Sequence, residues 1–292
     1  MVQLRSRTVL LAGLLLTAFA APALAIAPSP KGHLVLIGGG DKPPEVMRKF
    51  VELAGGKDAP IVMIPTASSE ADAASYYEKL FREEYGCTNA VSLDIRKRAD
   101  AGRADWAALA RKARGIFFGG GDQIRITNAL LGTPVGDAIT AAFADGAVVG
   151  GTSAGTACQS EVMLTGEGDF SLVRTRSVET WKGLGFLPAD VVVDQHFIRR
   201  QRENRLLSVV LENPDLLGVG VDEETAIWVR PDGTFQVLGK SGVLVFDAKG
   251  APVSRQPKGT GQDLLGVHAL KLHLLLPGET YDIRTRTVGV PR

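Results

Sequence analysis

The sequence predicts an α/β fold: a three-layer sandwich with helices on both faces of a mostly parallel central sheet and antiparallel strands at its carboxyl-terminal end. Three observations carry this. Short, almost continuously apolar runs alternate with amphipathic stretches from residue 33 onward. Several of those runs end in glycine-rich or hydroxyl-rich turns. After residue 226 the pattern changes to alternating strands joined by an Asp-Gly turn.

The strands expected in order are "HLVLIGGG" (33–40), "PIVMIPTA" (60–67), "VSLDI" (91–95), "GIFFGGG" (115–121) and "GAVVGGTS" (146–153). Most carry apolar residues at successive positions, as strands covered on both faces do. Helical patterns separate them at 43–56, 69–86 and 104–115. The first opens on Pro43 and Pro44 and closes on Gly55 and Gly56, start and stop signals for a helix. Repeated β-α-β units of this kind form a parallel sheet, and ligands then bind beyond the carboxyl ends of its strands. "GGGD", "PTASS" and "GGTSAG" all fall at that edge. Glycines there also serve ordinary tight turns, but three such ends converging on one edge favour a site. The late stretches "AIWVRPDGTFQVLGKSGVLVFDAKG" and "HALKLHLLLPGETYDI" read as hairpin strands extending the same sheet.

The amino terminus reads separately. Arg5 and Arg7 precede an apolar run from Val9 to Ala21, and Ala23-Leu24-Ala25 follows. These are the three regions of a secretory signal peptide, with cleavage expected after Ala25. The run is short for a membrane span. Residues 26–292 are then one exported domain, secreted or periplasmic and free of the membrane once cleaved. Hydrophobic and charged fractions of 45% and 22% are those of a soluble globular protein. A net charge of +1 argues against a nucleic-acid partner held by bulk electrostatics. Cys87 and Cys158 are too few for a disulfide scaffold and read as two buried thiols. No H-x-E or C-x-x-C pattern suggests a metal, and no cofactor is implied.

"GGTSAGTA" (150–157) holds the spacing G-x-S-x-G around Ser153, after an apolar strand and before a helix-compatible segment. That is the context of a nucleophile elbow, in which flanking glycines relieve a strained serine backbone. The N–H groups at the following helix start, from Ala154, can meet a developing oxyanion. Among four histidines, His196 follows an apolar strand at the expected site edge and is the best base for Ser153. A carboxylate should orient its imidazole. Asp222 and Glu223 both end another apolar run, and spacing does not choose between them. A helix starting near Phe197 would put Arg202 and Arg205 on one face with Ile198 and Val209, an odd place for charge unless the face is a site or is solvated.

Taken in order, "FFGGGDQ", "GTSAGT", "DQHFIRRQRENR" and "GVDEETA" resemble the motifs of the cyanophycinases, serine peptidases related to dipeptidase E and to the class I glutamine amidotransferase fold. The resemblance runs through about residues 33 to 290. It implies a Ser153–His196–Glu223 triad and a substrate pocket of Gln123, Asp194, Gln195, Arg200, Arg202 and Arg205. It implies cyanophycin as the partner: polyaspartate with an arginine joined through its α-amine to each β-carboxyl group. Arginines suit its carboxylates and Asp194 its guanidinium. The second oxyanion donor is expected at Gly121. The signal peptide resembles the extracellular members. The expected activity is that of a serine exopeptidase that releases β-Asp-Arg dipeptides through an acyl-enzyme. Alternatives are a dipeptidase E-like aspartyl dipeptidase and an inactive periplasmic binding protein on the same fold. Assembly as a homodimer is left open.

Overall fold

In a computed structural model describing residues 31–259 and 261–289, the apolar runs become strands whose alternate residues face two different cores. The expected signal peptide and its cleavage site lie outside the described residues. Five parallel strands are β1 (Leu34–Ile37), β2 (Ile61–Ile64), β3 (Ala90–Ser92), β4 (Gly115–Phe118) and β5 (Val148–Thr152). Leu34 and Leu36 pack into one core while Val35 and Ile37 pack into the other, as period-2 side chains must. The second core is closed by α1 (Pro44–Ala54) and α2 (Ala73–Lys79), the latter prolonged by a π-helical turn at Leu80–Glu84. Gly55, at φ 107°, ends α1, as its position after the apolar pattern predicts.

The first core is covered by α3 (Ala104–Lys112), α4 (Gln123–Leu130) and α5 (Pro134–Ala144). The sequence reading does not mark α4 and α5, yet both carry start signals. Asp122 accepts from the Ile124 N–H at 2.8 Å, and Thr133 caps α5 ahead of Pro134. The elbow helix α6 (Ala154–Ala157) follows β5 directly.

The chain then makes a hairpin, β6 (Val162–Gly168) and β7 (Val178–Lys182), before β8 (Val191–Gln195), α7 (Glu203–Glu212) and β9 (Leu217–Val221). The remaining strands are β10 (Thr225–Val229), β11 (Thr234–Gly239), β12 (Val243–Asp247), β13 (Val253–Gln256), β14 (Leu264–Val267), β15 (Lys271–Leu275), β16 (Thr280–Asp282) and β17 (Thr287–Gly289). The Asp232-Gly233 turn joins β10 and β11 as expected, and with β16 and β17 they extend the parallel sheet antiparallel, in the order β17-β16-β11-β10-β1-β5-β4-β2-β3.

Two expectations are corrected. Strands β12 and β15 do not join this sheet: they pair with β9 and β8 in a separate four-stranded sheet, β15-β12-β9-β8, packed against the first core. An apolar run looks the same whichever sheet receives it, so only long-range packing assigns it. The arginine-rich helix also starts later than expected, at Glu203 rather than near Phe197. His196 and Gln201 take left-handed backbone angles, φ 50° and 52°, which a helix cannot contain. Residues 197–201 therefore form a turn, and Arg202 stands at the position just before the helix instead of lying along its face.

Candidate active site

Ser153 stands between β5 and α6 at φ 54°, ψ −114°, a strained conformation of the kind that clusters at active sites. The glycines two residues either side explain why the elbow fits. A Cβ on Gly151 would lie 2.1 Å from the Gly155 carbonyl oxygen, and one on Gly155 would lie 2.3 Å from that of Phe118. The Ser153 N–H donates to the Ile37 carbonyl at 3.1 Å, which ties the elbow to the end of β1.

His196 arrives from the other sheet. It follows β8, and its N–H donates to the Gly38 carbonyl at 2.6 Å. Its ring lies against Gly39, where a Cβ would be 2.3 Å from Cε1. Nε2 is 2.9 Å from Ser153 Oγ, and Nδ1 is 2.5 Å from Glu223 Oε1. A carboxylate only accepts, so Nδ1 carries the proton and Nε2 faces the serine hydroxyl as an acceptor. Burial, with help from the Arg200 and Arg202 charges, holds the His196 pKa below the usual 6.5 against the opposing pull of Glu223. The imidazole is therefore neutral at pH 7, as a base must be.

The carboxylate left open by spacing resolves structurally. Residues 222–224 bridge the two sheets between β9 and β10, and a Cβ on Gly38 would lie 2.1 Å from the Asp222 carbonyl oxygen. Asp222 turns away: its carboxylate accepts from the Arg199 N–H at 2.8 Å and from the Ser241 hydroxyl at 2.7 Å. Glu223 alone meets the imidazole.

The "GGGD" turn after β4 lies beside the elbow, where a Cβ on Gly120 would sit 3.5 Å from the Ser153 Cβ. Its amides are nearly all committed: Gly119 to the Ile64 carbonyl at 3.0 Å, Gly120 to the Tyr77 hydroxyl at 3.2 Å, Asp122 to the Ala67 carbonyl at 3.0 Å. Among the described residues, the Gly121 N–H has no acceptor, nor has the Ala154 N–H at the start of α6.

The residues expected to form a pocket divide into two groups. Asp194 and Arg205 are 1% and 3% exposed and satisfy each other. Arg205 Nε donates to Oδ2 at 2.7 Å and Nη2 to Oδ1, with the Phe170 ring over the guanidinium. Gln123 is buried too, its amide donating at 2.7 Å to the carbonyls of Leu164 and Thr165. Gln195, also buried, directly precedes His196, and Arg200 and Arg202 follow it just ahead of α7. Arg202 Nη1 donates to both the main-chain and side-chain oxygens of Gln195 at 2.8 Å. Burial pushes the Arg202 guanidinium down to about 10, so it stays a cation at neutral pH. Arg200 is the open member, its side chain 53% exposed and its Nε 3.7 Å from Glu223 Oε1.

Sequence reasoning missed the opposite wall. Ser153 and His196 border a cavity of about 430 Å³ whose lining includes Lys42, Glu70, Asp72, Tyr76 and Tyr77. The signal for part of it was a repeated phrase: "GGGD" at 38–41 ends β1 just as it ends β4 at 119–122. Cys87 and Cys158 are buried and unbridged.

Comparison with known proteins places the chain in a family. Residues 34–237 match the model of peptidase family S51. A cyanophycinase of Synechococcus elongatus is 36% identical over 263 residues, covering 88% of this chain and 81% of that one. A cyanophycinase of Trichormus variabilis is 38% identical over 246 residues, 84% and 82% of the two chains. A peptidase E of Streptomyces coelicolor is 30% identical over 158 residues, 51% of this chain and 60% of that one. In fold, the chain resembles the crystal structure of a peptidase from an acI-B1 Actinobacterium, with a TM-score of 0.67 at 23% identity, covering 88% and 98% of the two chains. The chain therefore belongs to peptidase family S51 and is a serine-type peptidase.

Proposed function

We propose that this peptidase is an exported cyanophycinase, cleaving the polyaspartate backbone of cyanophycin to β-Asp-Arg dipeptides. The observation that carries the reading is the unbroken hydrogen-bond sequence Ser153–His196–Glu223 beside the Arg200–Arg202 turn. The names of the relatives support the choice of substrate.

Ser153 Oγ attacks the backbone carbonyl while His196 Nε2 takes its proton, and Glu223 holds the resulting imidazolium. Charge on the carbonyl oxygen falls between the N–H groups of Ala154 and Gly121, two uncommitted donors beside the elbow. His196 then returns the proton to the leaving amine, and water hydrolyses the acyl-enzyme with the same base. Arg200, and the free edge of Arg202 that Gln195 orients, receive substrate carboxylates. Gln123, Asp194 and Arg205 support this wall from within.

Ser153→Ala should abolish release of soluble dipeptides from insoluble cyanophycin, with binding and melting temperature nearly unchanged. Appreciable turnover by that variant would overturn the mechanism. A wild-type protein that leaves the polymer intact but cuts short aspartyl peptides would replace the substrate with that of a dipeptidase. Export rests on the leader pattern of residues 1–25, and the recovered protein should begin at Ile26. Protein found only in the cytoplasm and still beginning at Met1 would refute export.

A further inference from the structure

The turn that presents the Gly121 N–H is held from two sides, and one of the holders is a tyrosine hydroxyl that no motif includes. On one side the Ala67 carbonyl accepts the Asp122 N–H at 3.0 Å. Gly121 itself, at φ +138°, passes so close that a Cβ there would lie 2.2 Å from the same oxygen. On the other side Tyr77, on α2, accepts the Gly120 N–H at 3.2 Å. Its ring is 6% exposed and anchored in the core, 5.9 Å from the Phe117 ring and edge-on to Tyr76 at 5.0 Å. The approach depends on Gly119: a Cβ there would meet the Tyr77 ring at 2.8 Å and its hydroxyl at 3.0 Å. Two glycines of one turn thus serve different neighbours, Gly119 the tyrosine and Gly120 the nucleophile's flank.

We propose that Tyr77 is a positioning residue for the reaction, locking the Gly119–Gly120 peptide so that the remaining amide, Gly121 N–H, stays oriented for the oxyanion. The inference rests on the reading of Gly121 as an oxyanion donor. Without the hydroxyl, the Gly120 N–H loses its acceptor, and the simplest repair is rotation of that peptide. Such a rotation changes φ at Gly120, and because glycine offers little torsional resistance the following peptide, with the Gly121 N–H, is freed to re-orient as well. A donor at a developing oxyanion counts only when it is held in place beforehand. Burial pushes the Tyr77 phenol up to about 12, so the group remains a neutral hydroxyl throughout the working pH range.

The test compares wild type with Tyr77→Phe, Gly119→Ala and the double variant. Two readouts are used: the rate at which a fluorophosphonate phosphonylates Ser153, and kcat and KM on cyanophycin. In the first, Ser153 Oγ bonds to phosphorus, fluoride leaves, and His196 takes the proton, so the rate depends on the oxyanion site but not on the natural substrate. Tyr77→Phe keeps the ring and should slow labelling and kcat about tenfold or more, since removing a single oxyanion donor outright costs about a hundredfold to a thousandfold. KM should stay within about twofold, because the interaction is made in the transition state. The acid limb of the pH profile should not move, since the base is untouched. Gly119→Ala should cause a similar loss by pushing the ring away, and the double variant should be no worse than the poorer single one.

Labelling at the wild-type rate in Tyr77→Phe overturns the proposal. So does a loss confined to KM, or multiplicative loss in the double variant. If Tyr77→Phe does not fold, Gly119→Ala decides the question alone by the same readouts. If wild type labels normally yet leaves cyanophycin intact, the substrate assignment fails while the labelling rates still test Tyr77.

Discussion

Asp194→Asn separates a buried partner from a substrate contact. Asp194 and Arg205 are 1% and 3% exposed, joined by two hydrogen bonds, and Asp194 Oδ1 also accepts the Gln195 N–H at 2.7 Å. An asparagine retains one acceptor but turns an NH₂ group toward a guanidinium, donor against donor. It leaves Arg205 charged, buried and without an anion. Breaking a buried pair by removing one partner costs about 3–5 kcal/mol. At about 2–4 °C per kcal/mol for a domain of this size, the melting temperature should fall on the order of 10 °C. Arg205→Met should be comparably harmful. The double variant Asp194→Leu/Arg205→Met should recover most of the loss, because neither charge then needs desolvation. Calorimetry on the four proteins, with kcat and KM measured well below the lowest melting temperature, reads both quantities. KM should change little, since neither side chain reaches solvent. A melting temperature within about 2 °C of wild type together with a large rise in KM would refute the reasoning and return Asp194 to the substrate.

The remaining expectations concern the base and the arginines. Because burial and the two arginines hold the His196 pKa below 6.5, the neutral base persists at lower pH than for a free histidine, and activity is lost only as pH falls through that depressed value. The acid limb of kcat/KM should therefore lie below pH 6.5, and a limb at or above it would contradict the site's electrostatics. Glu223→Gln removes a group that raises this pKa and should move the limb lower still, with kcat reduced about a thousandfold or more for lack of the orienting carboxylate. Arg200→Gln, removing a charge that lowers it, should move the limb upward. Arg202→Gln should cost about 2–3 kcal/mol in kcat/KM on cyanophycin, less on plain aspartyl dipeptides, with only partial rescue by lysine. Equal, small changes on both substrates would make the arginine turn a solvated surface.

The sequence by itself determined what depends on neighbours in the chain. The apolar runs marked β1, β2, β4 and β5 as strands, because an uninterrupted run of this length suits a strand covered on both faces. The glycine spacing around Ser153 marked the elbow, since that backbone angle tolerates nothing larger nearby. His196 was legible as a partner for Ser153 from its place after an apolar strand at the sheet edge, and Asp232-Gly233 fixed the β10–β11 hairpin by turn chemistry alone. Tertiary structure decided whatever depends on which distant segment arrives. It placed β8, β9, β12 and β15 in a second sheet, and so brought His196 to Ser153 from outside the sheet that carries the elbow. It chose Glu223 over Asp222, two adjacent carboxylates whose side chains diverge only once the crossover between sheets is fixed. It paired Asp194 with Arg205 in the interior, a contact that their spacing in the sequence does not reveal, and it gave Tyr77 a partner on a turn far along the chain. Residue type and spacing record local torsional demands, whereas the partner of a buried polar group is set by packing between segments that the sequence places far apart.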